Sequence, residues 1–167
     1  MFFYPVPFAW RKERCQTIGL SKCLKVGPDA APKSLGAAKK TESIRGDGNC
    51  FYRALSYVLT GEETSHSSVR KKLAAFMKTE PKVASFSDRE TSAQYVRESG
   101  CGMLGKWATD VEIYAASIWL GVDIYVELNN VWQRFSYTGN LEGPPSEYGI
   151  YIKNANGDHF EVVTDVE

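Results

Sequence analysis

Two segments far apart in the chain, Asp47-Gly48-Asn49-Cys50 and Asp158-His159-Phe160-Glu161, hold the residue types that thiol chemistry needs. The first places a cysteine where an apolar helix begins. The second places a histidine two residues before a carboxylate. A thiol becomes a strong nucleophile when an imidazole takes its proton, so these segments, brought together by folding, are the minimum equipment of a cysteine hydrolase. The chain contains two histidines. His66 lies in the polar run Thr64-Ser65-His66-Ser67-Ser68, where a solvated or helix-start role suits it, and this leaves His159 as the candidate base.

Each candidate has a physical reason to sit where it does. A helix starting at Cys50 would turn its free N–H groups and partial positive charge toward the thiolate. Gly48 lets the backbone turn sharply and approach a substrate. The N–H groups of residues 47–50 are candidates for an oxyanion site. In a strand, His159, Glu161 and Val163 share one face and Phe160 and Val162 the other, so Glu161 can orient the imidazole. Asp47 has two readings: contact with the imidazole, or fixing the loop ahead of the nucleophile. Asn49 either donates to the oxyanion or satisfies the turn. Asp110 and Glu112 are explained by helix capping and helix surface, and Trp107 and Trp119 by the core.

The elements that must position these groups are legible as changes of period. Phe51, Ala54, Leu55, Val58 and Leu59 mark one face of a helix ended by Gly61. A second helix carries Val69, Leu73, Phe76 and Met77, with Arg70, Lys71 and Lys72 outside, and stops before Pro81. A third spans about residues 88–98, and 100–105 reads as a loop. Thr109 and Glu112 form a capping box for a helix closed by Gly121. From Val122 the period falls to two: strands over 122–128, 131–137, 149–153 and 159–164, with turns at Asn129-Asn130 and Asn154–Asp158. Helices first and strands later predict an α+β domain, helices packed on a mixed sheet.

The 167 residues fit one domain with an added segment, and 43% hydrophobic content supplies a core. The expected division is residues 1–42 as an N-terminal extension outside the core, dispensable for cleavage, and 43–167 as the catalytic domain. The extension is aromatic at its front and Gly/Pro-containing behind. Residues 1–43 carry eight Lys/Arg against three Asp/Glu, which leaves a net charge of −5 on the remainder. The neutral total argues against nucleic acid as a partner, and an acidic body suits a basic one. Four cysteines without zinc spacing or a disulfide framework fit a reducing compartment, cytoplasmic or nuclear. No signal peptide, membrane span, metal site or cofactor is expected.

At Asp47-Gly48-Asn49-Cys50-Phe51-Tyr52-Arg53-Ala54-Leu55-Ser56, at Trp107-Ala108-Thr109-Asp110-Val111-Glu112-Ile113, and at His159-Phe160-Glu161, the chain resembles the ovarian tumour (OTU) domain family of cysteine deubiquitinases. The resemblance covers about residues 43–165. It implies a papain-like fold and thiol hydrolysis of the (iso)peptide bond after the C-terminal glycine of ubiquitin. It implies Cys50 as nucleophile, His159 as base, Asp47 as an active-site residue and Glu161 as the acidic residue following the histidine. Many members have Asp or Asn in the place of Glu161, and Ala108 stands where a Gly is common. The implied partner is ubiquitin or polyubiquitin. The alternatives are a ubiquitin-like modifier, a viral or mobile-element polyprotein as substrate, and a module that grips ubiquitin without cleaving it.

Overall fold

The computed structural model describes residues 1–167. In chain order the elements are β1 (Phe2–Phe3), α1 (Phe8–Ile18), β2 (Lys33–Ser34), β3 (Ala38–Glu42), α2 (Cys50–Thr60), α3 (His66–Met77), α4 (Pro81–Ser87) and α5 (Ser92–Ser99). There follow α6 (Asp110–Leu120), β4 (Asp123–Leu128), β5 (Val131–Phe135), β6 (Gly149–Ala155) and β7 (His159–Val166). Local chemistry accounts for most boundaries. Thr109 and Glu112 form the expected capping box, which satisfies free N–H groups at the start of α6. Asn129 and Asn130 both take left-handed backbone angles (φ 53° and 65°), as a tight turn between twisted strands demands. Pro81, expected only to end a helix, also begins one: it is the first residue of α4, where its missing N–H costs nothing.

Five strands form a mixed sheet in the order β3-β7-β6-β4-β5, with β4 and β6 parallel and the other neighbours antiparallel. Phe51, Leu55 and Leu59 of α2, Ile113 and Leu120 of α6, and Ile124, Ile152, Phe160 and Val162 of the sheet share one buried core. The ring of Phe160 meets that of Phe51 edge-on at 5.7 Å. This contact seats α2 on β7, the two elements that carry Cys50 and His159.

The opposite face of the sheet is buried too. Phe3, Tyr125, Tyr151, Val163 and Val166 form a second cluster, with Leu35 and Trp132 packed against it. β1 and β2 pair with each other, and the Tyr151 hydroxyl donates to the Phe2 carbonyl at 2.8 Å. This cover changes the reading of β4. Its polar positions alternate with apolar ones, yet Asp123 and Glu127 are both buried, and Glu127 accepts from the Ala38 N–H at 2.9 Å.

Residues 1–42 therefore do not stand outside the core, contrary to expectation. Val6, Cys15 and Leu20 belong to the main core and Phe3 to the second. Arg11 reaches from α1 to the Val58 and Leu24 carbonyls at 2.7 Å each. β3 is an edge strand of the sheet. The segment lacks one strong period because its apolar residues serve two faces of the sheet and a helix in turn.

Candidate active site

Cys50 is the first residue of α2 and is buried, with its side chain lining a groove of about 500 Å³. Burial pushes the thiol above its ordinary pKa, and the nearby charge of Asp47 adds to this. The N–H groups of Phe160, Phe51 and Cys50 act in the opposite direction. The expected help from the helix start is thus present, but desolvation outweighs it. Burial thus favours the neutral thiol over the thiolate.

His159 opens β7, half-buried, across the loop from Cys50. Its ring lies against that loop: a Cβ added at Gly46 would meet the imidazole Cε1 and Nδ1 at 3.7 Å. The Cys50 thiol in turn sits against the backbone of Phe160. The fold therefore brings the two segments together, although no hydrogen bond joins the imidazole to the thiol. Catalytic hydrogen bonds are commonly long before substrate arrives.

The two carboxylates differ in their freedom. Asp47 is locked by Arg53, whose Nε donates to both oxygens at 3.1 Å and whose Nη2 donates at 2.8 Å; it also accepts from the Asn49 N–H at 2.9 Å. The Arg53 contact, above all, holds the Asp47 carboxyl well below its ordinary pKa. Glu161 takes one hydrogen bond, from the Thr41 hydroxyl on β3 at 3.4 Å. Neither carboxylate accepts from His159.

The rest of the loop is shaped by its neighbour at residues 100–105. A Cβ on Gly48 would lie 2.0 Å from the Gly105 carbonyl oxygen, so close approach of two backbones, and not left-handed geometry, demands glycine here. Asn49 is turned into this junction. Its Oδ1 accepts from the Gly105 N–H at 2.8 Å and from Arg70 at 3.1 Å, which favours the turn-fixing reading over oxyanion donation. The Cys50 N–H donates to the Asp47 carbonyl at 3.2 Å, and the Gly48 N–H has no acceptor in the protein.

Trp107, Thr109 and Asp110 form one wall of the groove, and the β4–β5 hairpin, through Leu128 and Val131, another. Trp107 is 56% exposed, so it is a groove residue and not a core one; Trp119 packs on the core as expected. The charged lining is acidic, Asp110 and Asp158. Asn154, also on the wall, has a buried Oδ1 without a partner. His66 begins α3, half-buried, with burial lowering its pKa. Arg70, expected on the outer face of α3, is fully buried behind the loop of residues 47–50. The signal for it was in the spacing: Arg70, Leu73, Ala74 and Met77 form one stripe at i, i+3, i+4 and i+7.

The family model for OTU-like cysteine proteases matches residues 45–163, which include both segments of this site. The chain belongs to the OTU-like cysteine protease family. Across 136 residues this OTU chain is 26% identical to the OVARIAN TUMOR DOMAIN-containing deubiquitinating enzyme 7 of Arabidopsis thaliana. The match takes in 77% of the chain and 33% of that protein, so the chain spans about a third of the length of its curated relative. Its fold is that of solved OTU domains, a papain-like arrangement. The OTUD1 OTU domain superposes with a TM-score of 0.61 at 21% identity, over 75% of this chain and 85% of that one. The viral OTU protease of Qalyub virus gives 0.58 at 22% identity, over 74% and 82%. An OTU deubiquitinase of Wolbachia pipientis wMel, solved bound to ubiquitin, gives 0.51 at 20% identity, over 75% and 95%. No helix of this OTU chain is long and apolar enough to cross a membrane.

Proposed function

We propose that the protein is a thiol-dependent deubiquitinase in which Cys50 attacks the carbonyl of the C-terminal glycine of ubiquitin. The observation that carries this reading is the junction of α2 and β7, which puts the Cys50 thiol in a groove and His159 against the nucleophile loop. His159 takes the thiol proton, the thiolate forms a tetrahedral oxyanion, and His159 returns the proton to the departing lysine amine. Water then attacks the thioester with His159 as base and frees Cys50. The Gly48 N–H, without an acceptor in the protein, is available to the oxyanion. Asp47 fixes the loop, and Glu161, on the strand face of His159, orients the imidazole. The catalytic part begins near residue 43, braced by the N-terminal segment.

The groove supports a ubiquitin tail as occupant. An acidic lining suits a basic extended peptide, and the unpartnered Asn154 Oδ1 is an acceptor for a substrate N–H. The solved OTU domains of Hazara virus and Wolbachia pipientis wMel are bound to ubiquitin, which supports the same partner here. Digestion of a panel of differently linked ubiquitin dimers tests the proposal. At least one linkage is cleaved by the native chain, and Cys50→Ala lowers the rate by at least about 10³-fold. Inertness of the folded native chain on every linkage contradicts it.

A further inference from the structure

Behind the nucleophile loop lies a cation that the proposed chemistry leaves unused. Arg70 is fully buried on α3, and no carboxylate lies within ion-pair distance of it. Removing a charge from water costs several kcal/mol unless hydrogen bonds replace the lost solvation. Here they come from two loops and serve Nη1 and Nη2, while Nε is buried without a partner. Nη1 donates to the Cys101 carbonyl at 2.8 Å, and Nη2 donates to the Gly48 carbonyl at 3.2 Å and to Asn49 Oδ1 at 3.1 Å. The guanidinium lies over the buried Tyr52 ring, 3.8 Å from its centroid. A lysine would have the charge but not the planar fork that serves separate acceptors.

The acceptors matter more than their number. The Gly48 carbonyl belongs to the peptide that leads into Asn49-Cys50. Held toward α3, it keeps its negative end away from the groove in which an oxyanion would form. Asn49 Oδ1, shared by Arg70 and the Gly105 N–H, ties the 100–105 loop to the nucleophile loop. Arg70 holds the far side of that same loop through Cys101. Gly48 is in backbone contact with Gly105, so the two loops are packed directly against each other.

We propose that Arg70 is a positioning residue for the thiol chemistry: it fixes the Gly48–Asn49 peptide and clamps the 100–105 loop against it, which keeps the Gly48 N–H and Cys50 in the geometry of the oxyanion. This rests on Cys50 being the nucleophile.

The test compares the native chain with Arg70→Met, Asn49→Ala and the double variant, with rates expressed per titrated Cys50. Arg70→Met lowers kcat by about 100-fold with KM within about twofold, the size of effect expected from a misplaced reacting group. Asn49→Ala acts in the same direction, and the double variant loses less than the product of the two because they share one contact. Hydrogen exchange is read in parallel. In Arg70→Met the Gly105 and Asn49 amides exchange at least tenfold faster, while the amides of β4 and β6 keep their protection. A native kcat per titrated site, with loss confined to melting temperature or to the titratable fraction, overturns the proposal. If the folded native chain cleaves no substrate, the deubiquitinase reading falls. The exchange result then decides the positioning role alone: faster exchange at Gly105 and Asn49 supports it, and unchanged exchange overturns it.

Discussion

Asp47 and Glu161 are the two carboxylates of the segments that hold Cys50 and His159, and their partners separate them. Arg53 occupies both oxygens of Asp47, whereas Glu161 is held only by Thr41. Because the folded-state pKa of Asp47 lies below its unfolded value, its stabilising contribution is present above about pH 4 and fades as pH falls below that. Asp47→Asn is therefore less stable than the native chain at pH 7, and the gap in melting temperature narrows toward pH 3. A gap that stays constant across this range contradicts the ion-pair account. Cys50 behaves differently. Burial disfavours its thiolate, so in His159→Ala the rate of alkylation by iodoacetamide should climb with pH through a midpoint above the usual thiol value. With His159 present the midpoint is lower; identical profiles would remove His159 from the mechanism. The placement of Cys50 at a helix start and of His159 on a strand was readable from type and context. The burial of Cys50 was not, because desolvation depends on what packs over a residue and not on its neighbours in sequence.

Among the elements, those with a single dominant period were legible and those with divided duties were not. α2 and α6 are flanked by a stop glycine and, for α6, a capping box, and both stand close to where the sequence places them. Arg70 was assigned to the outer face of α3 because it is charged, although its spacing puts it on the apolar stripe. The two faces of β4 were harder, since alternation implies one wet face and β4 is buried on both until Leu128. β1 and α1 escaped notice for the same reason: Phe3 and Cys15 serve different cores. Phe3 tests this directly. It is 1% exposed and packs at a tilt against Tyr151 with ring centroids 4.6 Å apart. Phe3→Ala should cost about 3–5 kcal/mol of unfolding free energy in a denaturant titration. A change below about 0.5 kcal/mol, the size expected of a surface site, would mean that the N-terminal segment is a tail after all.

At the scale of the molecule, the central strands of the sheet are covered on both faces and the groove opens at the end where α2 meets β7. Helices cover one face, the N-terminal segment covers the other, and β3 borders β7, the strand that begins with His159. The architecture thus links the first forty residues to the site by way of β3 and Thr41, a connection that no local pattern in the sequence announces. Family membership follows from the match over residues 45–163. What this chain does with the family's site rests on whether Cys50 reacts with the end of a ubiquitin tail. The direct measurement is incubation of the folded chain with ubiquitin carrying a C-terminal electrophile, followed by intact-mass and peptide analysis. The expected result is a single covalent adduct on Cys50, absent in Cys50→Ala and strongly slowed in His159→Ala. No adduct on the folded native chain, or an adduct on Cys15, Cys23 or Cys101 instead, would contradict the account.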